Sequence, residues 1–60
     1  MIRKQDIKLM AEKIRCLRQT ASELKDISGG MQTVDRNVDR LLSCVKLLEL
    51  NISDVLEVLD

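Results

Sequence analysis

Two adjacent glycines divide this chain into segments that repeat one apolar spacing, and that arrangement leaves few folds open. Ser28-Gly29-Gly30 is the one strong punctuation mark in 60 residues. Glycine costs about 1 kcal/mol relative to alanine inside a helix and is favoured just past a helix end. Before the break, Ile7, Met10, Ile14, Leu17, Ala21 and Leu24 follow one another in steps of three and four. After it, Met31, Val34, Val38, Leu41, Val45, Leu48, Ile52, Val55 and Leu59 do the same. Such steps average 3.5 residues, the signature of helices packed along a heptad seam. No comparable run alternates with the period of a strand.

The phase of the seam changes at the glycines. Carried forward from Leu24, the first seam leads to Ser28, Met31 and Asp35, whereas the apolar positions pass through Val34. A slip at the weakest point of the chain favours a turn over its alternative, a continuous coiled coil with a local phase defect. An antiparallel register then sets Ile7 beside Val55, Met10 beside Ile52, Ile14 beside Leu48, Leu17 beside Val45, Ala21 beside Leu41 and Leu24 beside Val38. The sequence predicts one domain over 1–60, with helix 1 at about 2–28, a loop at 29–33 and helix 2 at about 34–59. Thr33 is the expected N-cap of helix 2, because its hydroxyl can accept from a first-turn amide.

Charge fits this pairing. Residues 1–28 hold seven basic and four acidic side chains, and residues 31–60 hold three basic and six acidic. The basic N-terminal and acidic C-terminal ends each oppose their own helix dipole, and an antiparallel partner brings them together.

Composition removes whole classes of chemistry. The chain has no histidine, proline or aromatic residue. Nucleophile systems that use histidine, Cys/His zinc fingers and Glu-x-x-His di-metal sites are therefore excluded, as are aromatic platforms for unpaired bases. Ten basic and ten acidic residues cancel, so bulk charge points to neither nucleic acid nor membrane. No secretory pattern follows the basic residues after Met1. The apolar stretch from Leu41 to Leu59 contains Lys46, Glu49, Asp54 and Glu57, too many charges for a bilayer span. With two cysteines and no secretory pattern, the expected setting is cytoplasmic.

A lone hairpin cannot cover all the apolar residues. Outside the seams stand Met1, Ile2, Leu9, Ala11, Cys16, Ile27, Leu42, Cys44, Leu47, Leu50, Leu56 and Val58. A buried Leu, Ile or Val contributes roughly 1.5–3 kcal/mol, so leaving many in water forfeits an amount comparable to a small domain's stability. Chains this short usually need disulfides, metal or oligomerisation. Self-association as a dimer or tetramer, with a homodimeric four-helix bundle as the simplest form, is the expected solution. Another helical protein is the alternative partner. Ile2, Leu9, Cys16, Leu42, Cys44, Leu47, Leu50, Leu56 and Val58 are the expected contact residues. Because the surplus lies mainly on helix 2, that helix is expected nearer the centre of the assembly.

Polar candidates are weaker. Lys4, Lys8, Arg15, Arg18 and Lys25 form a basic stripe along helix 1, which reads either as phosphate contacts to nucleic acid or as a solvated flank paired with acids of helix 2. With zero net charge, the second reading is preferred. Cys16 and Cys44 lie in no Cys-x-x-Cys motif and at no helix N-terminus, so no feature activates them; they read as small hydrophobes at a subunit interface. Glu12, Glu23, Glu49 and Glu57 avoid the seams and read as surface residues. Val34-Asp35-Arg36 recurs as Val38-Asp39-Arg40, where Arg36 can reach Asp39 at i,i+3.

The expectation is an all-α, two-helix antiparallel hairpin assembling as a four-helix bundle, with no cofactor, metal or catalytic residue. Its expected role is a small non-enzymatic protein–protein interaction module: regulatory, adaptor or scaffolding. The alternative is a nucleic-acid-binding regulator that uses the helix 1 stripe on a hairpin-dimer scaffold.

Overall fold

The computed structural model describes residues 3–59, so Met1, Ile2 and Asp60 lie outside the described residues, as does the side chain of Leu59. The chain forms two helices, α1 (Lys4–Ser28) and α2 (Gln32–Leu59), packed as an antiparallel hairpin, with no strand among the described residues. The hairpin is a rod of 42 × 16 × 15 Å. Its radius of gyration is 13.9 Å, against roughly 10 Å for a compact domain of this length. Two long helices joined by a tight turn have no third element to pack across them, so each must find its burial along the single line where they meet.

The glycines end α1 as their composition requires. Gly29 has φ +60° and Gly30 φ +89°, left-handed values that cost other L-residues 1–2 kcal/mol by rough estimate. The Met31 amide donates to the Ser28 carbonyl at 3.2 Å. The Met31 carbonyl then accepts the first bond of α2 from the Asp35 amide at 2.9 Å. The connection is thus Gly29–Met31, shorter than the expected loop. Thr33 already lies inside the first turn of α2, and Met31 holds the N-cap position assigned to it.

Asp35 supplies the polar closure that Thr33 does not. Its carboxylate accepts from the Ser28 hydroxyl across the turn and sits in the first turn of α2, where a negative charge suits the helix dipole. At the opposite end, Asp6 accepts from the Arg3 backbone amide at 3.3 Å and from its guanidinium at 3.2 Å. An acid in the first turn of α1 therefore offsets part of the unfavourable basic N-terminus.

The fully buried core is thin: Ile7, Ile14 and Ala21 of α1 against Val38 and Val45 of α2. All five are seam positions, but they are only a third of the fifteen seam residues. Met10, Leu17 and Leu24 of α1 and Leu41, Leu48 and Val55 of α2 are exposed. The expectation that the whole seam fills the hairpin interior is corrected here. The second stripe in contact is formed instead by Ala11 and Arg18 of α1 and by Leu42, Glu49 and Leu56 of α2, all half-buried. Two cylinders touch along one line with one flank on either side of it, and the seam lies partly on one of those flanks.

Candidate association face

Each helix presents three adjacent stripes to its partner. The central one holds Ile7, Ile14 and Ala21 on α1, and Val38, Val45 and Ile52 on α2. Antiparallel helices are related by a two-fold axis across their common plane, so corresponding flanks of the two helices emerge on the same broad face of the hairpin. One face carries Ala11, Arg18, Leu42, Glu49 and Leu56. The other carries Met10, Leu17, Leu24, Leu41, Leu48 and Val55.

The first face is held by ions. Arg18 grips Glu49 as a fork, with Nε to Oε2 and Nη2 to Oε1 both at 2.8 Å, the geometry in which guanidinium and carboxylate bond most strongly. Lys25 Nζ reaches Asp39 Oδ1 at 2.6 Å. The fork holds the Glu49 carboxyl below its ordinary pKa: the hydrogen bond from Arg18 outweighs desolvation, and the charges of Arg18 and Lys46 assist. The same bond raises the Arg18 guanidinium. The Lys25 ammonium is raised by its hydrogen bond to Asp39 and by the charges of Asp39, Asp35 and Asp26. Near the terminal end, an open cavity of about 350 Å³ lies between Ala11, Ile14 and Arg15 of α1 and Glu49, Ile52, Ser53 and Leu56 of α2.

These pairs settle part of the basic stripe. Arg18 and Lys25 bond acids of α2, as a paired flank requires. Glu49 is a cross-helix ligand rather than a bare surface residue. Asp39, which the sequence offered to Arg36, binds Lys25 instead.

The second face is apolar along its length. Its six seam residues are exposed by between a third and a half, from Met10 at 36% to Leu17 at 47%. Beside them stand Ile27 and Met31, also exposed. Near the terminal end the face is hollowed between the helices. Leu9, Met10, Lys13 and Ile14 of α1 and Leu48, Asn51 and Ile52 of α2 line a cavity of about 360 Å³. Lys13 and Asn51 are the polar members of its rim.

The expected contact residues divide among these surfaces. Leu9 lines the hollow, and Cys16 stands seven residues further along the same stripe. Cys44 and Val58 occupy the Asn51 stripe at the edge of the apolar face, and both cysteines are exposed thiols. Leu47 and Leu50 are exposed further round α2, with Leu50 on its outer side. Leu42 and Leu56 are half-buried on the ion-paired face, already in use against α1. Ile2 lies outside the described residues. The six exposed seam residues were missed because the sequence reading placed both flanks of the seam inside one hairpin. The signal that separates the flanks is the pairing of Arg18 with Glu49, which marks their own stripe as the one turned toward the other helix of the hairpin and leaves the opposite stripe exposed.

Among the described residues there is no cluster of three or more histidine, cysteine or acidic side chains able to hold a metal ion. No helix of the described residues is long and apolar enough to cross a membrane. Against this geometry, comparison with protein-family models, curated proteins and solved structures finds no match.

Proposed function

We propose that this chain is a non-enzymatic protein–protein association module whose first partner is a second copy of itself. The single observation that carries this reading is the apolar face, where half of a heptad seam stands in water along the length of the hairpin. Six side chains, each a third to a half exposed, represent roughly 4–8 kcal/mol per hairpin if covered, taking 1.5–3 kcal/mol for a fully buried residue. That is comparable to the whole contribution a core of this size makes, about 3–5 kcal/mol.

Three features favour a copy of the same chain. The face is 42 Å long and about 16 Å wide, a footprint of roughly 700 Å², near the ~800 Å² per partner of a standard interface. Its exposed seam keeps the spacing of the buried seam, so two faces brought together continue one heptad core in four helices. The stripes at its edges are Asp6, Lys13, Thr20 and Ile27 on α1, and Asn37, Cys44, Asn51 and Val58 on α2. They bring a single acid and a single base per chain, and with zero net charge two copies do not repel. The exposed thiols of Cys16 and Cys44 suit a reducing, cytoplasmic setting.

The test is molar mass by light scattering with refractive-index detection, because the chain lacks aromatic absorbance. A mass of two 6.9 kDa chains, constant on dilution through the micromolar range, is expected. A monomer throughout overturns the reading. Nucleic-acid binding is the less favoured reading, because Arg18 and Lys25 are already engaged with α2.

A further inference from the structure

Cys16 and Cys44 carry the two thiols of the chain, both exposed and unbridged. Their heights along the rod are alike. Cys16 is the thirteenth of the 25 residues of α1, its midpoint. Cys44 is the thirteenth of the 28 residues of α2, within about 2 Å of its midpoint at 1.5 Å per residue. Both also flank the apolar face, on opposite sides of it. Cys44 stands on the edge stripe beside Leu41 and Leu48, and Cys16 one stripe outside the edge beside Leu17.

Within one hairpin these thiols cannot join. A disulfide needs Cα atoms about 4.4–6.8 Å apart, whereas packed helix axes lie roughly 8–10 Å apart. Both cysteines stand on sides of their helices turned away from the other helix, which separates them further.

A second copy changes this. A two-fold axis that joins two apolar faces runs either along the rod or across it. An axis along the rod sets α1 of each copy beside α2 of the other at equal heights, so Cys44 comes to the level of the other copy's Cys16. An axis across the rod sets α2 beside α2 and reverses the heights. Residues near one end then meet the other end, and only the middle meets itself. Cys44 then comes to the level of the other copy's Cys44. Because both thiols sit at mid-rod, either arrangement leaves Cys44 at the edge between two chains with a thiol of the other copy across it.

We infer that Cys44 is the site of an interchain disulfide, formed with Cys44 or Cys16 of a second copy, through which thiol oxidation makes the dimer covalent. This rests on the self-association proposed above. The oxidant is a low-molecular-weight disulfide. The Cys44 thiolate attacks one of its sulfurs and expels a small thiolate, leaving a mixed disulfide. The facing thiolate of the other copy then attacks the Cys44 sulfur and expels the second small thiolate. Two protein sulfurs are oxidised, the small disulfide is reduced, and the two protein thiol protons end on the two released thiols.

Oxidised glutathione on the full chain at micromolar concentration is the test, read by non-reducing electrophoresis, with molar mass by light scattering on the reduced sample. A discrete covalent dimer is expected. It should form on the order of 100-fold faster than in denaturant, because thiols held together in a complex have an effective concentration on the order of millimolar. Cys44→Ser should abolish it, and Leu48→Glu, which separates the copies, should slow it to the denatured rate. A reduced dimer that takes up glutathione without bridging, or that still bridges after Cys44→Ser, overturns the inference and leaves self-association intact. A monomer overturns both.

Discussion

Leu48 and Glu49 are neighbours in the chain and belong to opposite broad faces of the hairpin. Glu49 is held by two bonds of 2.8 Å from Arg18, which join the helices within one chain. Leu48 extends the buried seam yet remains 42% exposed, and no second helix covers it. Both faces continue the same helices with the same period. The ion-paired face makes its contacts inside the hairpin, while the apolar face leaves its seam residues a third to a half exposed. A heptad seam therefore does not say how many helices share it, and polar cross-pairs on one flank show which side a single hairpin has already used.

The contrast is broken most strongly by a charge on the apolar face. Leu48→Glu places one unpaired carboxylate per chain in the apolar face of the proposed dimer, and an uncompensated charge buried there costs about 3–5 kcal/mol. A loss of at least ~100-fold in dimer affinity is expected from concentration-dependent molar mass. Leu50→Glu is the control, since Leu50 is similarly exposed at 52% but lies on the outer side of α2. It should leave the dimer unchanged, and equal weakening by both substitutions would contradict the assignment of faces.

A change in the shared core acts on both faces at once. Ile14→Ala removes a buried side chain that also borders both cavities, and a loss of about 2–5 kcal/mol in unfolding free energy is expected from denaturant titration. Gly29→Ala is milder. Space for the new methyl exists, with Ile27 O the nearest atom at 3.8 Å, so the penalty comes from φ +60°. About 1–2 kcal/mol in stability, with dimer geometry retained, is the expected result.

The ion-paired face gives the smallest effect and a distinct pH signature. Because the folded-state pKa of Glu49 is depressed, its contribution is present above the unfolded value of about 4.3 and is lost as pH falls through the folded value. Glu49→Gln should remove that part of the acid sensitivity, seen as a shallower decline of the thermal midpoint below about pH 4.3. Lys25 has the opposite sign: its raised pKa makes its contribution complete below about 10.4 and lost as pH rises through the folded value. Added salt should weaken this face through screening while leaving association through the apolar face intact.

Much of the fold was legible in the sequence because local signals agreed with one another. The seams on either side of Gly29 and Gly30 specified two helices, and the phase slip specified the turn. Thr33 was misassigned because capping preference is local, whereas the helix start was set by Ser28 and Asp35 meeting across the turn. The apolar face was hidden for a geometric reason. Heptad spacing makes Ile14 and Leu17 equivalent, and only the placement of α2 separates them into a buried residue at 8% and an exposed one at 47%. Arg18 and Glu49, read singly as charges on two helices, gained their meaning from a separation of 31 residues in sequence.

Solvent accessibility of methyl groups in the unmodified chain tests the division of faces most directly. In a solution of a soluble paramagnetic probe, methyl relaxation enhancements would be measured for every Leu, Ile and Val at concentrations where the dimer is formed. The methyls of Leu17, Leu24, Leu41 and Leu48 should be as protected as those of Ile14 and Val45, while those of Leu47 and Leu50 stay accessible. Protection of Leu47 and Leu50 with Leu17 and Leu48 left open would place the partner on the outer side of α2 and contradict the account.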